Sequence, residues 1–186
     1  MHSPFTNPPR RLGSLRNVQY RRVYPGIAES VSAARRHLEE AARGSGLSAD
    51  VIDTALVCLS ELATNAVTHA IGDRPRPRFV VVVAVRGTRQ RWLRVEVHDP
   101  DASVRPAFPS KEKAADLLLD IDPDNLSGRG MAMVATMADR TGVEALDHVW
   151  GKIVWLELKL HEHEYGGRRP GVQEEAAVVV RGVSAT

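Results

Sequence analysis

The sequence predicts an α+β two-layer sandwich, with a mixed β-sheet carrying helices on one face. Three observations lead there. Apolar residues make up 43% and charged residues 26% of 186 residues, the balance of a soluble globular domain able to bury a sizeable core. β-branched and alternating stretches such as "RFVVVVAVRG" (78–87) sit beside stretches with helical periodicity. Read in order, the segments give β-α-α-β-β-loop-α-β-β, which suits helices gathered on one side of a sheet.

Each element has its own signal. Residues 1–17 are rich in Pro and Arg, lack periodicity and are expected to be disordered. "VQYRRVYP" (18–25) reads as a strand closed by Pro25-Gly26. Residues 27–46 read as a helix, with Ile27, Val31, Ala34, Leu38 and Ala41 on one face and Gly44 and Gly46 as the stop. Ser48 is a good N-cap, and Asp50 sits in the first turn of a second helix running to about Ala70. Residues 78–87 and "RWLRVEVHD" (91–99) form a hairpin. Residues 100–127 contain four prolines and a short helical piece, 111–119; a loop this long inside a domain is usually functional. "GRGMAMVATMADRTG" (128–142) is a helix opened by glycines. "VEAL" (143–146) and "KIVWLELKL" (152–160) are strands joined by a turn. The domain therefore spans 18–160, with a polar tail over 161–186 in which "AAVVV" (176–180) could add an edge strand.

Composition narrows the function classes. A net charge of +2 gives no reason to expect direct nucleic-acid binding. Cys58 is the lone cysteine, so an internal disulfide and a cysteine-based zinc site are both excluded. The N-terminus has no apolar segment of the secretory kind, and no apolar run approaches the ~20 residues of a membrane span. A cytoplasmic protein without a membrane partner is expected.

The chemistry gathers on "SELATNAVTHA" (60–70). On a helical wheel Ile52, Ala55, Leu56, Leu59, Leu62, Ala63, Ala66, Val67 and Ala70 share an arc facing the sheet. Glu61, Asn65 and His69 fall at about 0°, 40° and 80°, a polar stripe on the border of that arc. One reading is a pair of boundary residues, Glu61 and Asn65 bonded at i,i+4. The other is a metal–phosphate site. The Asn65 amide oxygen is a hard ligand suited to Mg²⁺, and Glu61 one turn away can take a proton from an attacking hydroxyl. The helix alone leaves both open.

Two further segments favour the second. "VEVHDP" ends a strand on Asp99, whose carboxylate can accept a hydrogen bond from an exocyclic amine such as adenine's. "SGRGMAMVA" sets Gly128 and Gly130 at a helix start, where backbone N–H groups can face a phosphate. No G-x-x-x-x-G-K-[ST] is present, which excludes the P-loop.

An acid–amide helix, an Asp-ended strand, a long loop and a glycine-opened helix, in that order, resemble the Bergerat-fold ATPases: gyrase, the heat-shock chaperone, mismatch-repair and histidine-kinase ATP domains. "SELATNAVTHA", "VEVHDP", "GRGMAMVATMADRTGV" and "GKIVWLEL" look closest to the bacterial anti-sigma-factor serine/threonine kinases, over roughly residues 20–160. The resemblance implies ATP and Mg²⁺ as cofactors, with Asn65 binding the Mg²⁺ that bridges the phosphates. It implies Glu61 as general base for a protein serine hydroxyl and Asp99 as reader of the adenine amine. Gly128, Arg129, Gly130 and Met131 would cap the phosphates, and 100–127 would be the ATP lid. The implied partners are a sigma factor and a serine-bearing anti-anti-sigma protein; a homodimer is compatible with the family. His69 has no implied chemical role, and a helix-end hydrogen bond accounts for it.

Two positions depart from the family pattern. Asp101 stands where glycine usually follows the adenine-reading Asp, and a second negative charge there is unfavourable unless it points outward. Gly151-Lys152 replaces a Gly-Thr pair whose hydroxyl helps hold a water at adenine. These leave room for a second function, a non-catalytic ATP-sensing module. A third reading, a metal site at "HEHE" (161–164), is weaker than a solvated tail, because two His on one strand face still need a third ligand.

Overall fold

The computed structural model describes residues 18–44, 47–70, 77–102, 105–120, 128–146 and 151–161. The segments 1–17, 162–186 and most of 121–128, and with them the readings of a disordered start, an "AAVVV" strand and most of "HEHE", lie outside the described residues or at their edge. Five strands are described: β1 Val18–Pro25, β2 Arg78–Arg86, β3 Arg91–Asp99, β4 Arg140–Ala145 and β5 Lys152–Leu160. The helices are α1 Glu29–Gly44, α2 Ala49–Asn65, α3 Lys111–Leu119 and α4 Arg129–Met137.

The strands form one sheet in the order β1-β2-β3-β5-β4, and every ladder is antiparallel. The two layers are as expected; the mixed pairing is not. β3 and β4 do run the same way, but β5 inserts between them, so no parallel neighbours meet.

Alternation decides which face meets the helices. Phe79, Val81, Val83 and Val85 of β2, Leu93, Val95 and Val97 of β3, and Val154, Leu156, Leu158 and Leu160 of β5 join one core. α1 adds Ala34, Leu38 and Ala42; Ala42 rather than Ala41 completes its buried stripe, and Ile27 precedes the helix and is exposed. α2 adds Ile52, Ala55, Leu56, Leu59, Leu62 and Ala63, the predicted arc. Ser48 caps α2 by accepting from the Val51 N–H. α2 and the turn after it (Ala49–His69) are long and apolar enough to cross a membrane by length and composition, which corrects the expectation that no such run exists. The buried arc makes this the central core helix of the sandwich.

Two boundaries differ from the sequence reading. The second helix does not stay α-helical to Ala70: Ala66–Ala70 is a π-helical turn. The glycine-opened helix stops at Met137, and Arg140–Ala145 become β4 because their backbone pairs with β5.

The opposite sheet face carries a charge network. Arg94 donates to Glu96 at 2.7 Å, Glu144 at 2.9 Å and Glu157 at 3.3 Å, and its guanidinium lies 4.0 Å from the Trp155 ring centroid. Glu96 also accepts from Arg86 at 2.7 Å and bonds His98 at 2.9 Å. Burial would push the Glu96 carboxyl up, but hydrogen bonds from His98 and Arg94 and the charges of His98 and Arg86 outweigh it and bring it from 4.5 to about 2. A carboxyl lowered by folding stabilises the fold above its unfolded value and loses that contribution as pH falls through its folded one. Between pH 4.5 and 2 the wild-type chain is expected to lose on the order of 2 kcal/mol more stability than Glu96→Gln, allowing for solvent screening. Urea unfolding at stepped pH checks this; parallel pH profiles would refute it.

Candidate functional site

Glu61 and Asn65 lie one turn apart at the end of α2, both half-buried. Neither side chain has a hydrogen-bond partner among the described residues, so the i,i+4 bond that would make them a structural pair is not formed. His69 follows on a π turn. A π turn advances each residue by less than the α-helical step, and His69 is exposed on it.

The Glu61 carboxylate reaches the first turn of α4. A Cβ added to Gly130 would lie 2.3 Å from Glu61 Oε2, so only glycine lets the carboxylate rest there. Gly128 serves a different need. It is the N-cap of α4 with φ +85°, and the space around its Cα is open. Among the described residues no side chain caps this helix start, and the first-turn N–H groups of Gly130 and Met131 have no intrahelical carbonyl to meet. Met131 itself is buried. The Arg129 guanidinium donates to the Asp120 carbonyl, tying the start of α4 to the end of α3. α3 and α4 pack through Ala114, Ala132 and Ala135. Of the segment 100–127 expected as a lid, 103–104 and 121–127 lie outside the described residues.

Asp99 ends β3 on the helix-facing side, opposite Lys152 of β5 in the register. Lys152 Nζ donates to Asp99 Oδ1 at 2.9 Å, and both side chains are 1% exposed. The same oxygen accepts from the Asp101 N–H at 2.9 Å, and Lys152 donates a second bond to the Asp101 carbonyl at 2.6 Å. Asp101 thus gives both its backbone polar groups to this cluster. Burial pushes the Asp99 carboxyl up, while the Lys152 ammonium and the Asp101 N–H pull against it. Gly151 makes the approach feasible, since a Cβ there would lie 2.5 Å from the Asp99 carbonyl oxygen. The sequence shows Gly-Lys only as a departure from a pattern; its role as partner to Asp99 is set by β5 pairing with β3. No cluster of three or more His, Cys, Asp or Glu suited to a metal exists among the described residues, and Cys58 is buried with its thiol pushed up to about 12 by burial and the Glu61 charge.

The family profile described as histidine kinase-like ATPase domain matches residues 25–158. The chain belongs to this family. One solved structure with a similar fold is "The crystal structure of SiaB-SiaC complex from Pseudomonas aeruginosa", at 9% identity and TM-score 0.52, covering 77% of this chain and 91% of that one. No curated protein matches at a significant level.

The chemistry of this ATPase domain's residues fits ATP. The uncapped, glycine-opened start of α4 suits phosphate oxygens. The Asn65 amide suits a hard cation that keeps most of its waters. Asp99 retains one carboxylate oxygen, Oδ2, with no hydrogen bond among the described residues.

Proposed function

We propose that this ATP-binding regulatory protein is a serine/threonine protein kinase of the anti-sigma type, which binds a sigma factor and phosphorylates that factor's serine-bearing antagonist in the cytoplasm. The observation that carries the reading is Glu61: a half-buried carboxylate with no ion-pair partner among the described residues, resting on Gly130 where α4 presents its first amides. Bound ATP supplies the γ-phosphoryl group and Mg²⁺ neutralises the phosphates, with Asn65 as the metal's protein ligand. Gly128, Arg129, Gly130 and Met131 cradle phosphate oxygens through backbone N–H groups. Asp99 receives the adenine amine. Glu61 accepts the serine hydroxyl proton as the serine oxygen bonds to the γ-phosphorus and the bond to ADP breaks. That the fold neighbour was solved in complex with a second protein agrees with a chain whose substrate is a protein.

The second reading, a non-catalytic ATP-sensing module, is favoured by the Asp99–Lys152 pair, which engages one oxygen of the base-reading carboxylate. Both readings require nucleotide binding. ATP–Mg²⁺ at about 100 times its Kd is expected to raise the thermal midpoint by roughly 5–10 °C, and Asn65→Ala to remove most of that rise. A folded wild-type chain with no shift at millimolar ATP would sink both.

A further inference from the structure

The Asp99–Lys152 cluster has unspent hydrogen-bonding capacity on both partners. An ammonium carries three N–H groups, and Lys152 uses two, on Asp99 Oδ1 and the Asp101 carbonyl. The third has no partner among the described residues, although the side chain is 1% exposed. Asp99 Oδ1 accepts two bonds, and Oδ2 accepts none there. A donor and an acceptor that stand side by side with capacity to spare can both be met by a ligand offering the complementary pair.

We propose that Lys152 is a base-specificity residue, reading the purine ring directly beside Asp99. This rests on the ATP-binding reading above. Adenine's Watson–Crick edge sets an amine donor at N6 next to an acceptor at N1, which matches acceptor Oδ2 and donor Nζ. Guanine reverses the order, with an acceptor at O6 and a donor at N1. In the adenine pose guanine would set oxygen against carboxylate and N–H against ammonium. The neutral base meets a carboxylate whose charge Lys152 already balances, so adenine need not compensate a lone buried anion. Lys152 therefore both holds the reading carboxylate and supplies the second reading contact.

Calorimetric titration of the full chain with Mg²⁺ complexes of ATP, GTP and 1-deaza-ATP, which lacks the N1 acceptor, separates this from a purely structural ion pair. Wild type is expected to bind 1-deaza-ATP about 10- to 100-fold more weakly than ATP, the range for a bond to a charged group, and GTP at least as weakly. Lys152→Met, confirmed folded by circular dichroism, is expected to bind ATP and 1-deaza-ATP equally. Equal wild-type affinity for the two overturns the Lys152 contact while leaving ATP binding standing. Failure to bind any adenine nucleotide overturns the ATP-binding reading as well. The wild-type comparison decides the matter even if the variant does not fold.

Discussion

Glu61→Gln is expected to bind ATP like the wild-type chain and to transfer phosphate to a serine-bearing partner ~10²–10⁴-fold more slowly, the usual contribution of a positioned base. Glutamine keeps the length and planarity of the side chain, so its packing against Gly130 survives. What disappears is the proton acceptor. Phosphoryl transfer is mostly positioning and charge neutralisation, which the change leaves in place, so the loss should appear in the transfer rate and not in nucleotide affinity. Single-turnover transfer from labelled ATP to a co-purified partner measures the rate, and calorimetry the affinity. Equal rates would make Glu61 a boundary residue. No transfer by the wild-type chain would favour the ATP-sensing module.

Asp99→Ala is expected to destabilise the fold by about 3–5 kcal/mol, because it strands the Lys152 ammonium in a site where both side chains are 1% exposed. One carbonyl, that of Asp101, would remain to it. For a chain of this size the thermal midpoint should fall by roughly 6–20 °C. Lys152→Met should cost a similar amount by leaving the carboxylate alone. The double variant Asp99→Leu/Lys152→Met should recover most of the loss, since apolar side chains of similar volume replace buried ion pairs without penalty. Denaturant unfolding of the four proteins gives the coupling energy directly. Single variants that cost less than about 1 kcal/mol would show that the pair is solvated in solution. It also follows that Asp99→Ala is a poor probe of adenine binding, since it weakens the fold that holds the site; Asp99→Asn keeps an oxygen facing Lys152.

Local signals accounted for much of the fold. β1 (18–25), β3 (91–99), α3 (111–119) and β5 (152–160) have the bounds their periodicity predicts. The readings failed where a tertiary partner set the boundary. Arg140–Gly142 look like a helix's last turn in sequence and become strand because β5 lies alongside. Nothing local marks the switch to a π turn at Ala66.

By itself the sequence determined which side chains are candidates for the chemistry and which arc of α2 is buried, because helical and strand periods are local properties of the chain. It determined that Glu61 and Asn65 lie a turn apart and that glycines open α4. The tertiary structure decided what those groups face. Gly130 meets Glu61 across 69 residues and Lys152 meets Asp99 across 53, through packing of α4 on α2 and pairing of β5 with β3. Contacts over such separations depend on loop closure and sheet order, which no local pattern encodes. That is why Lys152 reads in sequence as a departure and in the structure as the partner of the Asp99 carboxylate.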